Sequence, residues 1–311
     1  KVILKDGMVE DCALAFDNKI CGLTSVEEIP ANADVINANG GYVAPGLVDI
    51  HIHGYLGKDV CDGREEDIRT ISRGLLQNGV TGYLPTTMTV DMAVIKKALE
   101  VCRSLKEESK SWEGSEILGV HAEGPFISES KKGAQNAEYL HDPDVAMLQR
   151  LQDAAEGCVR LVTVAPEQPG AMEFIRAAKE MGITVSVGHT TADYDTAMEA
   201  FRCGASHATH LYNGMPSLHH RAPAVVGAAF DTPGVRAELI CDGVHIHGAM
   251  VRLAFRLFGK ERMVLISDSL RCCGMPDGEY ELGGQQVFLK GGIARLADGT
   301  IAGSATNLYD C

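Results

Sequence analysis

Apolar residues in the first 45 positions fall into brief runs separated by turn signals. The runs are VILK, DGMV, CALAF and KICGL, with Asp-Gly, Asp-Asn and Gly between or beside them. Short apolar segments bounded by such residues are typical of β-strands joined by tight turns. The pattern therefore predicts that residues 1–45 form the N-terminal part of a small β-domain.

From residue 46 onward the pattern changes, and short apolar runs alternate with longer amphipathic segments. Short apolar runs that are bounded by polar or turn residues are typical of buried strands. The runs that predict strands are 47–53, 80–86, 116–122, 159–165, 183–189, 207–211, 237–243 and 263–268.

The segments between these runs carry the spacing of amphipathic helices. In segment 65–78, Ile68, Ile71, Leu75 and Leu76 lie on one helical face, and Gly79 follows as a residue that favours helix ends. Segment 212–236 shows no clear helical pattern. Further helices are predicted at 91–106, with Asp91 as N-cap, and at 143–155, 171–181, 193–203 and 247–258.

Eight strands that mostly alternate with helices predict a (β/α)8 barrel of the TIM type over residues 46–311. The alternative is a doubly wound open sheet, but the first strand is not followed by a Gly-rich nucleotide-binding turn. After residue 268 the sequence predicts a hairpin-like excursion, and residues 303–311 resemble the start of a helix. A barrel normally closes with a helix, so the chain is expected to be truncated before that helix.

The composition is that of an ordinary soluble globular protein, with 45% apolar and 23% charged residues. No apolar stretch is long enough for a transmembrane helix, and the N-terminus does not resemble a signal peptide. Lys1 is not a start Met, so a few residues are expected ahead of it. Ten Cys without a CxxC pair predict buried thiols in a reducing, cytoplasmic compartment.

The net charge of −14 argues against nucleic acid as a partner, because the overall field repels polyanions. One stretch differs: no Asp or Glu occurs between Glu199 and Asp231. The stretch contains four His and two Arg, and the Arg221 guanidinium is suited to a phosphate group. Backbone N–H groups near Gly214 can also face an anion. The alternative reading is a chance gap in the acidic residues.

Residues of the types that bind metals lie at the C-terminal ends of the predicted strands, which is where a barrel enzyme has its active site. Imidazoles with carboxylates and no thiolate indicate Zn²⁺ or Fe²⁺, in one or two ions. A lone HxH pair or strand-end acid usually has a structural role, so the prediction depends on all of them occurring together. The residues are His51, His53, Glu123, His189, His210 and Asp268, of which Asp268 is suited to proton transfer.

Several motifs resemble the N-acetylglucosamine-6-phosphate deacetylase family of the amidohydrolase superfamily. Their order and spacing are similar along nearly the whole chain, and HAEGPF together with THLYNGM is the most specific combination. The motifs are APGLVDIHIHG (44–54), GVHAEGPFIS (119–128), SVGHTTADY (186–194), ATHLYNGM (208–215), ICDGVHI (240–246), LISDS (265–269) and GMPDGEYELGG (274–284).

The resemblance implies a metal-dependent hydrolase barrel with a small β-sandwich domain built from both termini. It implies hydrolysis of N-acetylglucosamine 6-phosphate to glucosamine 6-phosphate and acetate. It assigns Asp268 as the catalytic acid/base. It also implies a homodimer in which His245 reaches the site of the neighbouring subunit. The metal ligands are Glu123, His189 and His210, with His51 and His53 for a second ion. The substrate contacts are Gln135, Asn213, Gly214, Arg221 and His245.

Two features depart from the family pattern. Gln135 stands where many relatives have a His that polarises the acetyl carbonyl, and an amide can donate a hydrogen bond there but carries no charge. The family's last helix and returning β-strands are missing after Cys311. Two other functions stay open: a different amidohydrolase reaction, such as cyclic-amide hydrolysis or deamination, and a non-catalytic sugar-phosphate binder.

Overall fold

The computed structural model describes residues 1–311, which divide into two compact units, Lys1–Gly46 and Leu47–Cys311. The first unit contains two antiparallel hairpins, and each of its four strands coincides with a predicted run. The strands are β1 (Val2–Leu4), paired with β2 (Gly7–Val9), and β3 (Cys12–Phe16), paired with β4 (Ile20–Ser25).

The second unit contains a closed ring of eight parallel strands, which confirms the predicted barrel. One sheet has three strands within residues 47–117 and the other has six within residues 120–266, each in chain order. Bridges at Thr86–His121 and Ile52–Ser269 join the two sheets into a ring. Residues 116–117 and 120–122 together form the third strand, and residues 54–59 form a small hairpin outside the ring. The strands are β5 (Leu47–Ile52), β6 (Gly54–Tyr55), β7 (Lys58–Asp59), β8 (Val80–Pro85), β9 (Glu116–Ile117), β10 (Val120–Ala122), β11 (Val159–Val164), β12 (Thr184–Val187), β13 (His207–Ala208), β14 (Arg236–Ile240) and β15 (Met263–Ile266).

Each of the first seven ring strands is followed by one helix. In the first helix the predicted face is buried at Ile68, Ile71 and Leu75, whereas Leu76 is 40% exposed. The helices are α1 (Glu65–Gln77), α2 (Met92–Lys106), α3 (Val145–Ala154), α4 (Ala171–Glu180), α5 (Tyr194–Cys203), α6 (Ala224–Asp231) and α7 (Gly248–Phe258).

Helix α6 lies in segment 212–236, where the sequence pattern predicted none. Its sequence is AVVGAAFD, and five of the eight residues are buried. Because apolar residues occur on every side of this helix, the sequence has no polar face and therefore no amphipathic period. Buried helices of this kind cannot be recognised from periodicity alone.

The chain continues after β15 into a three-stranded antiparallel sheet, in agreement with the predicted hairpin-like excursion. The strands are β16 (Gly278–Leu282), β17 (Gln285–Lys290) and β18 (Ile293–Leu296). The expectation that 303–311 begins a helix was wrong. Ser304 N–H instead donates to the Asp268 carbonyl, and Asn307 and Asp310 close a single turn with each other.

Polar side chains occupy the inside of the barrel and apolar side chains cover its outside. Thr163 bonds inward to His121 and Thr209, so by the alternation of a strand Val162 and Val164 face the helices. All ten Cys are free thiols, and most are buried or half-buried. No helix combines the length and the apolar character needed to cross a bilayer.

Candidate active site

Six buried ionisable side chains meet where the ring strands end. Nitrogen and oxygen atoms within 4.8 Å of one another define two groups. Three of the residues that follow strands have positive φ angles: 47° at His189, 26° at His210 and 49° at Asp268. Such backbone strain is concentrated at functional sites because the surrounding structure must hold it in place. The groups are His51, His53 and Asp268, and Glu123, His189 and His210.

Glu123 lies between the two groups and contacts both. Its Oε1 is 3.2 Å from Nε2 of His189 and of His210, and 3.3 Å from Nε2 of His51. Its Oε2 is 3.2 Å from Nε2 of His53. One carboxylate therefore faces four imidazoles, and its two oxygens could serve as ligands in either group.

In the neutral form of His189 and His210, the hydrogen bonds of the rings place the proton on Nδ1 and leave a lone pair on Nε2. Nδ1 of His189 donates to the carbonyl of Lys131 at 2.8 Å, and Nδ1 of His210 donates to the carbonyl of Asn213 at 3.1 Å. The two Nε2 lone pairs then face each other across 3.1 Å. A divalent cation bound by both lone pairs would remove their repulsion. Backbone carbonyls, like those of Lys131 and Asn213 here, are usual Nδ1 partners of metal-binding His. The residues present therefore fit a metal.

In the group of His51, His53 and Asp268, the His51 ring is oriented by Glu238 of β14. Its Oε2 is 3.0 Å from Nδ1 of His51, so the neutral form of this ring would carry its proton on Nδ1 and its lone pair on Nε2. Asp268 Oδ1 lies 3.3 Å from Nε2 of His53 and 3.6 Å from Nε2 of His51. This set, two imidazoles and a carboxylate, provides ligands for a second cation.

The carboxylates dominate the electrostatics of the site. Burial alone would lower the pKa of His53, but Asp268 and Glu123 outweigh it and raise that pKa to about 9. Burial alone would raise the pKa of Glu123 and of Asp268, but the surrounding His lower both. The carboxylates are therefore held in the ionised form that a cation requires.

A cavity of about 260 Å³ opens above these groups. Four predicted substrate residues line it: Gln135, Asn213, Gly214 and His245. Arg221 is not among the lining residues. It is exposed, and its guanidinium lies 2.7 Å from Nε2 of the neighbouring His220. The phosphate contact of Arg221 therefore stays a prediction.

The side chain of Gln135 is fixed at both ends of its amide. Its Nε2 donates to Glu123 Oε2 at 2.8 Å, and its Oε1 accepts from the backbone N–H of Thr89 at 2.7 Å. This pair of contacts sets the orientation of the amide and restrains the Glu123 carboxylate. Nε2 carries a second hydrogen, which is the one available to a carbonyl in the cavity.

Gly214 packs directly against two of the candidate metal ligands, His189 and His210. Its φ is +59°, and a Cβ added there would lie 3.2 Å from Nδ1 of His189 and 3.3 Å from Cε1 of His210. Its carbonyl accepts from Thr190 N–H. Both the backbone conformation and the lack of space therefore require glycine here.

Sequence reasoning missed the residues that hold the ligands in place. Glu238 is one, and its signal was an acid within the apolar strand sequence AELI. Strand alternation places Asp49 on the same face as His51 and His53, but its contacts had no sequence signal: it accepts from the N–H of His51 and of Ser267, and burial raises its pKa to about 6. The carbonyl of Lys131 has no sequence signal, because every residue carries one.

A barrel with this arrangement of His, Glu and Asp at its strand ends is found among metal-dependent hydrolases. The Amidohydrolase family matches residues 42–278, and the chain belongs to this family. The chain is 43% identical over 285 residues to an N-acetylglucosamine-6-phosphate deacetylase from Bacillus subtilis, covering 91% of this chain and 70% of that protein.

Two further relatives extend the comparison. An N-acetylgalactosamine-6-phosphate deacetylase from Escherichia coli O157:H7 is 34% identical over 308 residues, covering 99% of this chain and 80% of that protein. The structure of a mutant N-acetyl-D-glucosamine-6-phosphate deacetylase from Mycobacterium smegmatis, in complex with N-acetyl-D-glucosamine-6-phosphate, is 31% identical. It superimposes with a TM-score of 0.84 and covers 93% of this chain and 74% of that one.

Proposed function

We propose that this protein hydrolyses the acetamide of N-acetylglucosamine 6-phosphate to glucosamine 6-phosphate and acetate. The observation that carries the proposal is the cavity of about 260 Å³, which Glu123, His189, His210 and Asp268 all line. An amide placed there meets a set of metal ligands and a carboxylate at the same time. The relatives described above act on acetylated amino-sugar phosphates, which supports the same substrate class here.

Glu123, His189 and His210 would hold one divalent cation, Zn²⁺ or Fe²⁺ by the chemistry of the ligands. His51 and His53, with Asp268, would hold a second. When bound, such a cation acts as a Lewis acid on a carbonyl and lowers the pKa of water to near neutrality. Glu123 and the Nδ1 partners of the imidazoles keep these ligands oriented.

Asp268 moves the proton. Its carboxylate is ionised because the neighbouring His lower its pKa, so it can accept a proton from the attacking water. The same carboxyl group then returns the proton to the nitrogen of the leaving amine. Each turnover therefore leaves Asp268 in its starting protonation state.

The remaining cavity residues position the sugar phosphate. Gln135 can offer its second amide hydrogen to the acetyl carbonyl, which stabilises the developing oxyanion. Asn213, Gly214 and His245 provide polar contacts along the cavity wall, and Arg221 is assigned to the phosphate. Holding both ends of the substrate fixes the amide for attack.

The experiment measures acetate release by the metal-loaded protein on three substrates. These are N-acetylglucosamine 6-phosphate, its unphosphorylated form, and N-acetylgalactosamine 6-phosphate. We expect kcat/KM to be highest on the first, and Arg221→Ala to lower it by roughly 10–100-fold, the value of a hydrogen bond to a charged group. The rate on the unphosphorylated sugar should change little.

Arg202→Ala is the matched control, because Arg202 lies in the same acid-free stretch and pairs with Glu199 on the surface. It should leave all three rates unchanged. Equal kcat/KM on the phosphorylated and unphosphorylated sugars would overturn the phosphate assignment. No acetate from any of the three sugars would favour the cyclic-amide or deaminase alternatives.

We also infer a cytoplasmic homodimer. Ten free thiols support a reducing compartment. His245 lines the cavity of its own chain, so its reach into a neighbouring subunit's site stays a prediction. Mixing His245→Ala protein with Arg221→Ala protein under subunit exchange tests it, because partial restoration of activity requires the two residues to meet from different subunits. Sedimentation of the wild type as a monomer would contradict the dimer.

A further inference from the structure

We propose that Glu238 is a positioning residue that links the two groups of metal ligands through one oxygen atom. The proposal rests on the metal-dependent function above. It concerns a residue beneath the cavity, since Glu238 is not among the residues that line it. Its role is therefore to hold ligands and not to contact substrate.

Glu238 lies in the middle of β14 and is completely buried. Its Oε2 is 3.0 Å from Nδ1 of His51 and also accepts the backbone N–H of His210 at 3.3 Å. His51 belongs to one ligand group and His210 to the other. A single carboxylate oxygen therefore contacts both groups.

Each contact has a distinct consequence. The bond to Nδ1 of His51 directs the Nε2 atom of this ring toward Glu123 and Asp268. A carboxylate partner on Nδ1 makes an imidazole a better ligand. The bond to the His210 N–H restrains a backbone whose φ is 26°. Loss of Glu238 would therefore remove the restraint on both the His51 ring and the His210 backbone.

Burial of this carboxylate is difficult to explain by stability alone. Its Oε1 has no hydrogen-bond partner, and an incompletely paired acid in a barrel interior is costly. Replacement of a whole buried polar pair is often tolerated, but removal of Glu238 alone would leave the Nδ1–H of His51 and the N–H of His210 without an acceptor. An oxygen acceptor at position 238 is therefore expected to matter both for the fold and for the placement of the ligands.

The test measures Zn²⁺ affinity by competition with a chelator and Zn²⁺ content by elemental analysis, with no substrate present. Glu238→Met, which is similar in size and apolar, should weaken Zn²⁺ binding by about 10–100-fold, the usual effect of losing such a partner. Glu238→Gln keeps an oxygen acceptor and should restore most of the affinity. The Tm of the metal-free Glu238→Met protein should also fall, because two buried N–H groups lose their acceptor, whereas Glu238→Gln should keep a Tm near that of the wild type.

Thr163→Val is the matched control. Thr163 is also buried and polar inside the barrel, but it bonds only to His121 and Thr209. It should leave Zn²⁺ affinity within a factor of about two. Glu238→Met with wild-type affinity, or Thr163→Val with the same loss, would overturn the proposal.

The outcome also separates this inference from the proposed function. If the wild type binds Zn²⁺ and releases acetate but Glu238→Met binds Zn²⁺ equally well, only the inference fails. If Glu238→Met loses affinity and the wild type releases no acetate, only the deacetylase assignment fails. A wild type that binds no Zn²⁺ overturns both.

Discussion

Nδ1 of His245 lies 2.7 Å from Oδ2 of Asp242, and the exposed fractions of the two side chains are 8% and 6%. Asp242 Oδ1 also accepts the N–H groups of Val244 and His245, so one carboxylate fixes the turn that presents His245 to the cavity. Burial opposes both charges, but the hydrogen bond between the partners raises the pKa of His245 and lowers that of Asp242.

These shifts predict how stability depends on pH. The contribution of His245 is fully present below its unfolded pKa of about 6.5 and is lost as pH rises through its raised folded pKa. The contribution of Asp242 is present above its unfolded pKa of about 3.9 and is lost as pH falls through its lowered folded pKa. The pair therefore stabilises most between about pH 4 and 6.5.

Urea unfolding of the wild type and Asp242→Asn across this range checks the prediction. Asp242→Asn should lose about 1.5–3 kcal/mol near pH 6, and the difference should shrink above the folded pKa of His245. Asp34→Asn, on an exposed residue, should show no pH-dependent difference. A difference that grows with alkaline pH would contradict the assigned pair.

Asp268→Asn tests proton transfer. Asparagine has nearly the same shape but cannot exchange a proton, so turnover should fall by about 10²–10⁴. Metal content should fall far less than turnover, because Glu123, His189 and His210 remain. Steady-state kinetics with elemental analysis of the same sample checks this. Turnover within a few-fold of the wild type would remove Asp268 from this role.

His189→Ala tests the metal centre. The substitution removes a lone pair that faces His210 and Glu123, so both bound metal and acetate release should be lost. His141→Ala on the surface should change neither. Chelator treatment of the wild type should abolish acetate release, and re-addition of Zn²⁺ or Fe²⁺ should restore it. Full activity in the presence of chelator would be incompatible with a metal-dependent mechanism.

Gly214→Ala tests the close packing of the loop against the ligands. The added Cβ meets both His189 and His210, so metal affinity and turnover should fall as well as Tm. Gly182→Ala is the control, because Gly182 has φ +76° and no atom within 4 Å of its Cβ position. Both variants should lose about 1 kcal/mol from backbone strain. Only Gly214→Ala should lose metal.

The pattern of apolar runs was sufficient to predict the ring of eight strands, since buried strands must be apolar on the side that faces the helices. It could not identify helix α6, because a helix with apolar residues on every side has no polar face. That the candidate ligands converge was predictable from their positions after the strands. Glu238 was not, since a lone acid in a strand has no partner visible in sequence. The exposed position of Arg221 depends on loop geometry, which periodicity does not describe.

The first and last strands of the ring are joined at a seam, where Asp268 N–H donates to the His51 carbonyl and His53 N–H donates to the Ser269 carbonyl. Contacts between residues so distant along the chain form late, because the chain must first lose the entropy of a long loop. His51 and His53 lie on one side of this seam and Asp268 on the other. Glu123, His189 and His210 all follow strands of the continuous sheet that begins at β10. A refolding chain can therefore assemble this set before the ring closes, whereas the set of His51, His53 and Asp268 exists only after closure.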